Sequence, residues 1–131
     1  MNFINQIPMS SLYERIGGEN AVDAAVEIFY YKVLNDNRVN HFFKNIHISR
    51  LMAKQKAFIT FAFGGPSKYT YWQRGLRNSH RESVKNGMND THFDMVLKHL
   101  TDSLKEMMYP EEIIDEVREI VEGTRKHVLD K

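Results

Sequence analysis

Residues 48–65, ISRLMAKQKAFITFAFGG, decide the fold class. Apolar side chains recur there at the three- and four-residue spacing of an amphipathic helix, and the run ends at Gly64-Gly65, where glycine readily takes helix-ending conformations. One polar residue, Gln55, lies within the apolar face of this helix. The stretch therefore predicts an amphipathic helix that directs an amide side chain toward the protein interior.

Two helices are predicted before this stretch. The segment 11–14 has the form of a capping box, Ser-x-x-Glu, and starts a short helix that ends at Gly17-Gly18. A second helix spans about residues 20–35 and carries an apolar stripe formed by Val22, Val26, Phe29 and Val33. Tyr30 lies beside that stripe, so a hydroxyl is also expected near the interior.

Three helices are predicted after it. The first is brief and covers Leu76 to Lys85. Asn89 or Asp90 caps the next helix, because short polar side chains satisfy free amides at a helix start. Pro110 is expected at the first position of the last helix, which proline suits. Since no segment has strand periodicity, the predicted fold class is all-α.

Length and composition predict one domain. The chain has 131 residues, of which 42% are hydrophobic, enough for a single core. We expect residues 1–10 to form an N-terminal extension and residues 11–131 to form the domain. The net charge is +1 with both signs interspersed, which argues against nucleic-acid binding, and no apolar run reaches the ~20 residues of a membrane span.

The absence of cysteine excludes disulfides, thiolate metal sites and cysteine nucleophiles. Any metal site must therefore use histidine or oxygen ligands. The first ten residues carry no basic cluster and are interrupted by Pro8, so they do not resemble a signal peptide. A cytoplasmic location is the expectation that follows.

Among the six histidines, His80 is the candidate metal ligand. It lies in a short, poorly periodic helix, which suits ligand presentation better than core packing. The carbonyl of Leu76, four residues earlier, is available to its other ring nitrogen. His92 and His99 are expected on the outer side of their helix, and His41 is expected to pack beside the aromatic residues that follow it.

Tyr30 and Gln55 form the second candidate pair. A hydroxyl and an amide that face an apolar interior must find partners or cost ~1–3 kcal/mol each. Either they bond to each other or to backbone, or they flank a cavity and donate hydrogen bonds to a polar ligand. Lys54 adjoins Gln55, and its amine either reaches into such a pocket or extends into solvent.

Taken together, these residues resemble the first group of truncated haemoglobins, the compact globins of bacteria, protists and green algae. The similarity extends from Ser11 to about Leu129. It is carried by Leu12-Tyr13-Glu14-Arg15-Ile16-Gly17-Gly18, Ala21-Val22, Phe29-Tyr30, Val33-Leu34, His41-Phe42-Phe43, Gln55-Lys56-Ala57-Phe58, Phe63-Gly64-Gly65, Leu76-Arg77-Asn78-Ser79-His80 and His92-Phe93-Asp94.

The resemblance implies a two-over-two helical sandwich around one b-type haem per chain. His80 would be the proximal iron ligand, and Tyr30 would donate a hydrogen bond to the bound gas with help from Gln55. Leu51 would lie on the same distal side, where many relatives have a glutamine. Further haem contacts are implied for five residues: Phe43, Phe58, Leu76, Arg50 and Phe93.

Two further positions vary among members of the family. Relatives place either histidine or lysine at the position of Lys54 as an internal sixth ligand, so Lys54 is a candidate distal iron ligand; the alternative is an exposed Lys54 that pairs with a haem propionate. Thr124 stands near the place where certain cyanobacterial relatives have a histidine linked covalently to haem. No such crosslink is predicted here.

The function implied is reversible binding of diatomic gases, namely O2, NO and CO, by a monomer. The alternative is nitric oxide dioxygenation, which would need an external electron donor or reductase because the chain has no dinucleotide or flavin motif. A third alternative is a haem-free helical interaction module, which would leave Tyr30 and Gln55 without a purpose.

Overall fold

All regular elements of the described chain are helices. The computed structural model describes residues 11–43, 47–65 and 87–129, without the side chain of His127. The elements are α1 (Leu12–Ile16), α2 (Glu19–Leu34), a 3-10 helix (Asn40–Phe43), α3 (Ile48–Ala62), α4 (Asp90–Glu106), α5 (Glu111–Glu122) and α6 (Arg125–Val128). The predicted all-α class is confirmed for these ranges, whereas the helix predicted at 76–85 lies outside them. No helix in them is long and apolar enough to cross a membrane.

The predicted caps are present at two helix starts. The Ser11 hydroxyl accepts a hydrogen bond from the Glu14 amide at 3.1 Å, and the Glu14 carboxylate accepts one from the Ser11 amide at 3.2 Å. Gly17 ends α1 with φ +117°, a left-handed conformation that glycine adopts without strain. Asn89 caps α4 by accepting from the amide of Thr91 at 3.0 Å.

The C-terminal third differs from the prediction in two respects. Pro110 is the N-cap of α5 and not its first helical residue, since its backbone is extended while its carbonyl accepts from the amides of Ile113 and Ile114. In addition, α5 is not the last helix. The chain turns at Gly123 and continues as α6, a turn supported by a hydrogen bond from the Thr124 hydroxyl to the Val121 carbonyl at 2.7 Å.

Helix α2 is central, because it packs against α3 on one side and α4 on the other, while α4 also packs against α5. The most deeply buried of the described side chains come from α2, the turn after it, α4 and α5: Val22, Val26, Val33, Val39, Ser103, Leu104, Ile114 and Val117. Helix α1 contacts α2 and α5. It is fastened to α5 by the ion pair between Arg15 and Glu116.

The end of α3 is fastened to α1 through a close approach at Gly65. The amide of Tyr13 donates to the carbonyl of Phe63 at 2.9 Å, which brings the tyrosine ring over the glycine. A Cβ atom at Gly65 would lie 2.6 Å from that ring. Only glycine therefore fits this crossing without displacement.

The expectation that His92 and His99 lie on the outer side of α4 is wrong. His92 is half-buried; its Nδ1 accepts from the Asn89 amide at 3.2 Å and completes the capping box of α4. The His99 side chain is 15% exposed and its Nε2 lies 2.7 Å from Oδ2 of Asp36. The cause is the packing of α2 on α4, which brings the turn after α2 over this face. His41 packs beside Phe42 as expected, with ring centroids 4.0 Å apart.

Candidate functional site

An apolar pocket lies among the helices. The empty space that it encloses, together with its opening to solvent, is about 670 Å³. The lining combines contributions from all the helices except α1, and consists of Phe29, Tyr30, Phe43, Gln55, Phe58, Ile59, Met88, Phe93, Val96, Leu97, Leu100, Val121, Thr124 and Val128. None of these side chains carries a formal charge.

Tyr30 places an unpaired hydroxyl in this pocket. The residue is 2% exposed, and its hydroxyl has no hydrogen-bond partner among the residues that the structure describes. Burial raises the pKa of the Tyr30 phenol well above its usual value, an effect that the nearby Gln55 amide opposes only in part. The phenol is therefore a protonated donor throughout the physiological pH range.

The Tyr30 ring is held by its aromatic neighbours. Its centroid lies 5.0 Å from that of Phe29 at an interplanar angle of 64°, and 6.1 Å from that of Phe43 at 87°. Both are edge-to-face arrangements, which are the favoured geometries of aromatic pairs. The hydroxyl is thus fixed in direction before any ligand arrives.

The structure brings together five of the predicted site residues at this pocket: Tyr30, Gln55, Phe43, Phe58 and Phe93. Three others do not line it. Leu51 is half-buried and packs against the hydrophobic core, while Arg50 and Lys54 are exposed on α3. His80 and Leu76 lie outside the described residues.

Apart from Phe93, the pocket residues contributed by the C-terminal half were not predicted from the sequence. Val96, Leu97 and Leu100 belong to the apolar stripe of α4, and core and pocket positions have the same stripe in sequence. Thr124 and Val128 also line the pocket, although the sequence marked Thr124 only as a departure from relatives. Thr124 and Val128 could not be recognised as pocket residues because the helix α6 was not predicted.

These observations fit a large, mainly apolar prosthetic group. The lining supplies aromatic and aliphatic contacts, and the buried Tyr30 hydroxyl, which has no partner within residues 11–43, 47–65 and 87–129, points to a polar ligand held beside that group. An all-helical protein with such a pocket has the general features of a globin.

Comparisons with known proteins identify the family. Residues 11–130 match the model described as bacterial-like globin. The group 1 truncated hemoglobin GlbN of Synechocystis is 47% identical over 123 residues, which cover 93% of this chain and 97% of that protein. The group 1 truncated hemoglobin of Tetrahymena pyriformis is 40% identical, with 92% and 96% covered.

Among solved structures, this chain is similar to the 2/2 hemoglobin of Synechococcus sp. PCC 7002 in the cyanomet state and with covalently attached heme. The TM-score is 0.86 at 43% identity, and 93% of this chain and 100% of that chain are covered. The chain belongs to the bacterial-like globin family, and within it to the group 1 truncated haemoglobins. The predicted family, two-over-two fold and haem cofactor are confirmed, and the general function is haem-based binding of diatomic gases such as O2.

Proposed function

We propose that this protein reversibly binds O2, NO and CO at a haem in the described pocket, with Tyr30 as the principal donor to the bound gas. The observation that carries the proposal is the buried Tyr30 hydroxyl, which has no hydrogen-bond partner in the described part of the chain. Leaving such a group unpaired costs about 1–3 kcal/mol, a cost that a hydrogen-bonding ligand removes.

The division of roles around the pocket follows from the chemistry of each side chain. The haem supplies the iron centre that binds the gas. Tyr30 donates a hydrogen bond whose direction is set by its aromatic neighbours, and the Gln55 amide adds a second donor from α3. Donors placed in advance favour a ligand that carries partial negative charge, such as O2, over neutral CO.

The remaining proposals concern the residues that would hold the haem in the pocket. We propose His80 as the proximal ligand, with Leu76 on the same side. Phe43, Phe58 and Phe93 would contact the macrocycle, since all three line the pocket. Leu51 and Arg50 lie on α3 outside this lining. Leu51 would lie on the distal side of the haem, and Arg50 would contact the cofactor.

Lys54 has two candidate roles, internal sixth ligand or partner of a haem propionate. Its exposure on α3 supports the propionate role. The ferric absorption spectrum of Lys54→Ala decides between the two roles. A low-spin wild-type spectrum that becomes that of a water-bound or vacant iron assigns Lys54 as a ligand, and an unchanged spectrum assigns it to the surface.

The proposal is tested by stopped-flow measurement of O2 release. A hydrogen bond to a partly charged acceptor is worth about 1.5–3 kcal/mol, so Tyr30→Phe should release O2 roughly 10- to 100-fold faster, with a much smaller effect on CO. Tyr31→Phe is the matched control, because Tyr31 is the next residue and is 72% exposed. Unchanged O2 release in Tyr30→Phe would contradict the assignment.

Nitric oxide dioxygenation is the second candidate, because the same pocket and donors would serve it. Mixing the oxygenated protein with NO and measuring nitrate tests competence for one turnover. Re-reduction by cell extract then tests for the external reductase that repeated turnover needs. Rapid nitrate formation with rapid re-reduction would favour the enzyme, whereas slow re-reduction leaves gas binding as the function.

A further inference from the structure

The C-terminal wall of the pocket is built on a very short helix. Helix α6 spans only Arg125–Val128, yet Val128 and the preceding Thr124 both line the pocket. A single helical turn is unstable in isolation, because nucleation fixes several residues for one hydrogen bond. The position of this wall must therefore depend on contacts that α6 makes with the rest of the protein.

Arg125 supplies those contacts to α4 and α5. Its guanidinium donates to the carboxylate and the carbonyl of Asp90 at 3.0 and 3.3 Å, to the carboxylate of Asp94, and to both carboxylate oxygens of Glu122 at 2.7 and 2.8 Å. These five bonds use all five N–H donors of an arginine. We call Arg125, Asp90, Asp94 and Glu122 the Arg125 network.

The same guanidinium also contacts a residue of the pocket lining. Its central carbon lies 4.3 Å from the centroid of the Phe93 ring, a cation–π arrangement. Phe93 is buried and lines the pocket. Arg125 therefore joins two walls, one at the start of α4 and one on α6. A lysine could keep the charge but could not reproduce the planar five-donor contact.

The solvent exposure of the three carboxylates determines how much the Arg125 network contributes to global stability and to local opening. Asp90, Asp94 and Glu122 are 53%, 65% and 47% exposed, whereas Arg125 is only 20% exposed. Ion pairs with exposed partners add little to global stability and are screened by salt. They can still govern a local opening, because a terminal helix separates from the fold at far lower free energy than the core unfolds.

We propose that Arg125 is a positioning residue that keeps the α6 wall closed, and that opening of this wall limits how fast haem leaves the protein. The inference rests on the proposed placement of haem in this pocket. The effect of Tyr30→Phe on O2 release tests that placement separately, before any Arg125 variant is compared.

The experiment compares wild type, Arg125→Ala and Arg125→Lys as holoproteins. Arg118→Ala is the matched control, since Arg118 pairs with Asp115 on the surface of α5 and does not line the pocket. Two rates are measured at low and at high salt. One is hydrogen exchange at the amides of Val128 and Leu129, which donate to Thr124 and Arg125, and the other is haem transfer to an excess of apomyoglobin.

In Arg125→Ala both rates should rise about tenfold at low salt, while amides of α2 exchange as in the wild type. Arg125→Lys should restore only part of the difference, and Arg118→Ala should match the wild type. High salt should raise both rates in the wild type and leave Arg125→Ala unchanged, because salt weakens only the network that the variant has already lost.

Two results would overturn the proposal. Unchanged amide exchange in Arg125→Ala would show that Arg125 does not hold α6. Faster exchange without faster haem loss would show that this wall does not limit haem exit. If Arg125→Ala does not fold, Asp94→Asn serves instead, since it removes one exposed partner of the network and should shift both rates in the same direction by a smaller factor.

Discussion

Nε2 of His99 and Oδ2 of Asp36 lie 2.7 Å apart, although 63 residues separate them in the chain. Asp36 also accepts hydrogen bonds from the backbone amide and the guanidinium of Arg38. Its side chain is only 9% exposed. Arg38 and His99 together hold the pKa of Asp36 well below its usual range and fasten the turn after α2 to α4.

This relationship predicts a pH-dependent loss of stability. A carboxylate whose pKa is lowered by folding stabilises the protein above its unfolded pKa of about 4 and loses that contribution as the pH falls further. The difference in unfolding free energy between wild type and Asp36→Asn should therefore be largest near neutral pH and should shrink below about pH 4. Urea unfolding monitored by circular dichroism at each pH measures this difference.

Asp115→Asn is the control for Asp36→Asn. It removes the same charge, but from a side chain that is 64% exposed. Its difference from wild type should be small at every pH. A difference for Asp36→Asn that stays constant from neutral pH to below pH 4 would contradict the role assigned to the His99–Asp36 contact.

The unpaired hydroxyl predicts that Tyr30→Phe stabilises the haem-free protein. Because no described residue pairs with this buried hydroxyl, its removal should recover about 1–3 kcal/mol of unfolding free energy, with the ring contacts retained. Urea unfolding of the apoprotein measures this, with Tyr31→Phe expected to differ little from wild type. A less stable Tyr30→Phe apoprotein would mean that the hydroxyl has a partner when haem is absent.

The close approach at Gly65 predicts a steric penalty for alanine. Because the added Cβ would lie 2.6 Å from the Tyr13 ring, Gly65→Ala should lower the unfolding free energy by about 1–3 kcal/mol. The same substitution made in a Tyr13→Ala background should cost much less. If Gly65→Ala lowers the unfolding free energy equally in both backgrounds, its cause is the backbone at residue 65 and not contact with the Tyr13 ring.

The turn between α4 and α5 predicts one stabilising substitution. Met108 is 86% exposed and has φ +69°, a left-handed conformation that is strained for any residue with a Cβ. Met108→Gly should raise the midpoint of thermal unfolding by a few degrees, about 0.5–1 kcal/mol. Met107→Gly is the control, since Met107 has φ −81° and packs against the core, so that substitution should destabilise.

The helices could be predicted because their signals are local. The capping residues Ser11 and Asn89 act within one turn of their own helices, and the stripe of α2 needs only its own periodicity. The burial of His99 could not be predicted in this way. It depends on Asp36 in the turn after α2, and periodicity within α4 contains no information about that neighbour.

Site residues could be predicted from the sequence where a polar side chain occupies a position that helix periodicity assigns to the apolar face. Tyr30 and Gln55 stood out as polar residues at apolar positions, and both line the pocket. Val96 and Val128 gave no such signal, because an aliphatic residue that faces a cavity looks the same in sequence as one that faces another helix. Local context made His80 a candidate metal ligand, and the family resemblance implied the haem-specific roles of His80 and Lys54; these roles remain predictions.

The pocket draws its walls from residues as far apart as Phe29 and Val128. During synthesis, the side chains of α2 and α3 leave the ribosome long before those of α6, because chains emerge from the N-terminus onward. The wall formed by Thr124 and Val128 is therefore the last to become available. A nascent chain can form the Tyr30 side of the pocket early, but it can enclose its cofactor only after residue 128 has emerged.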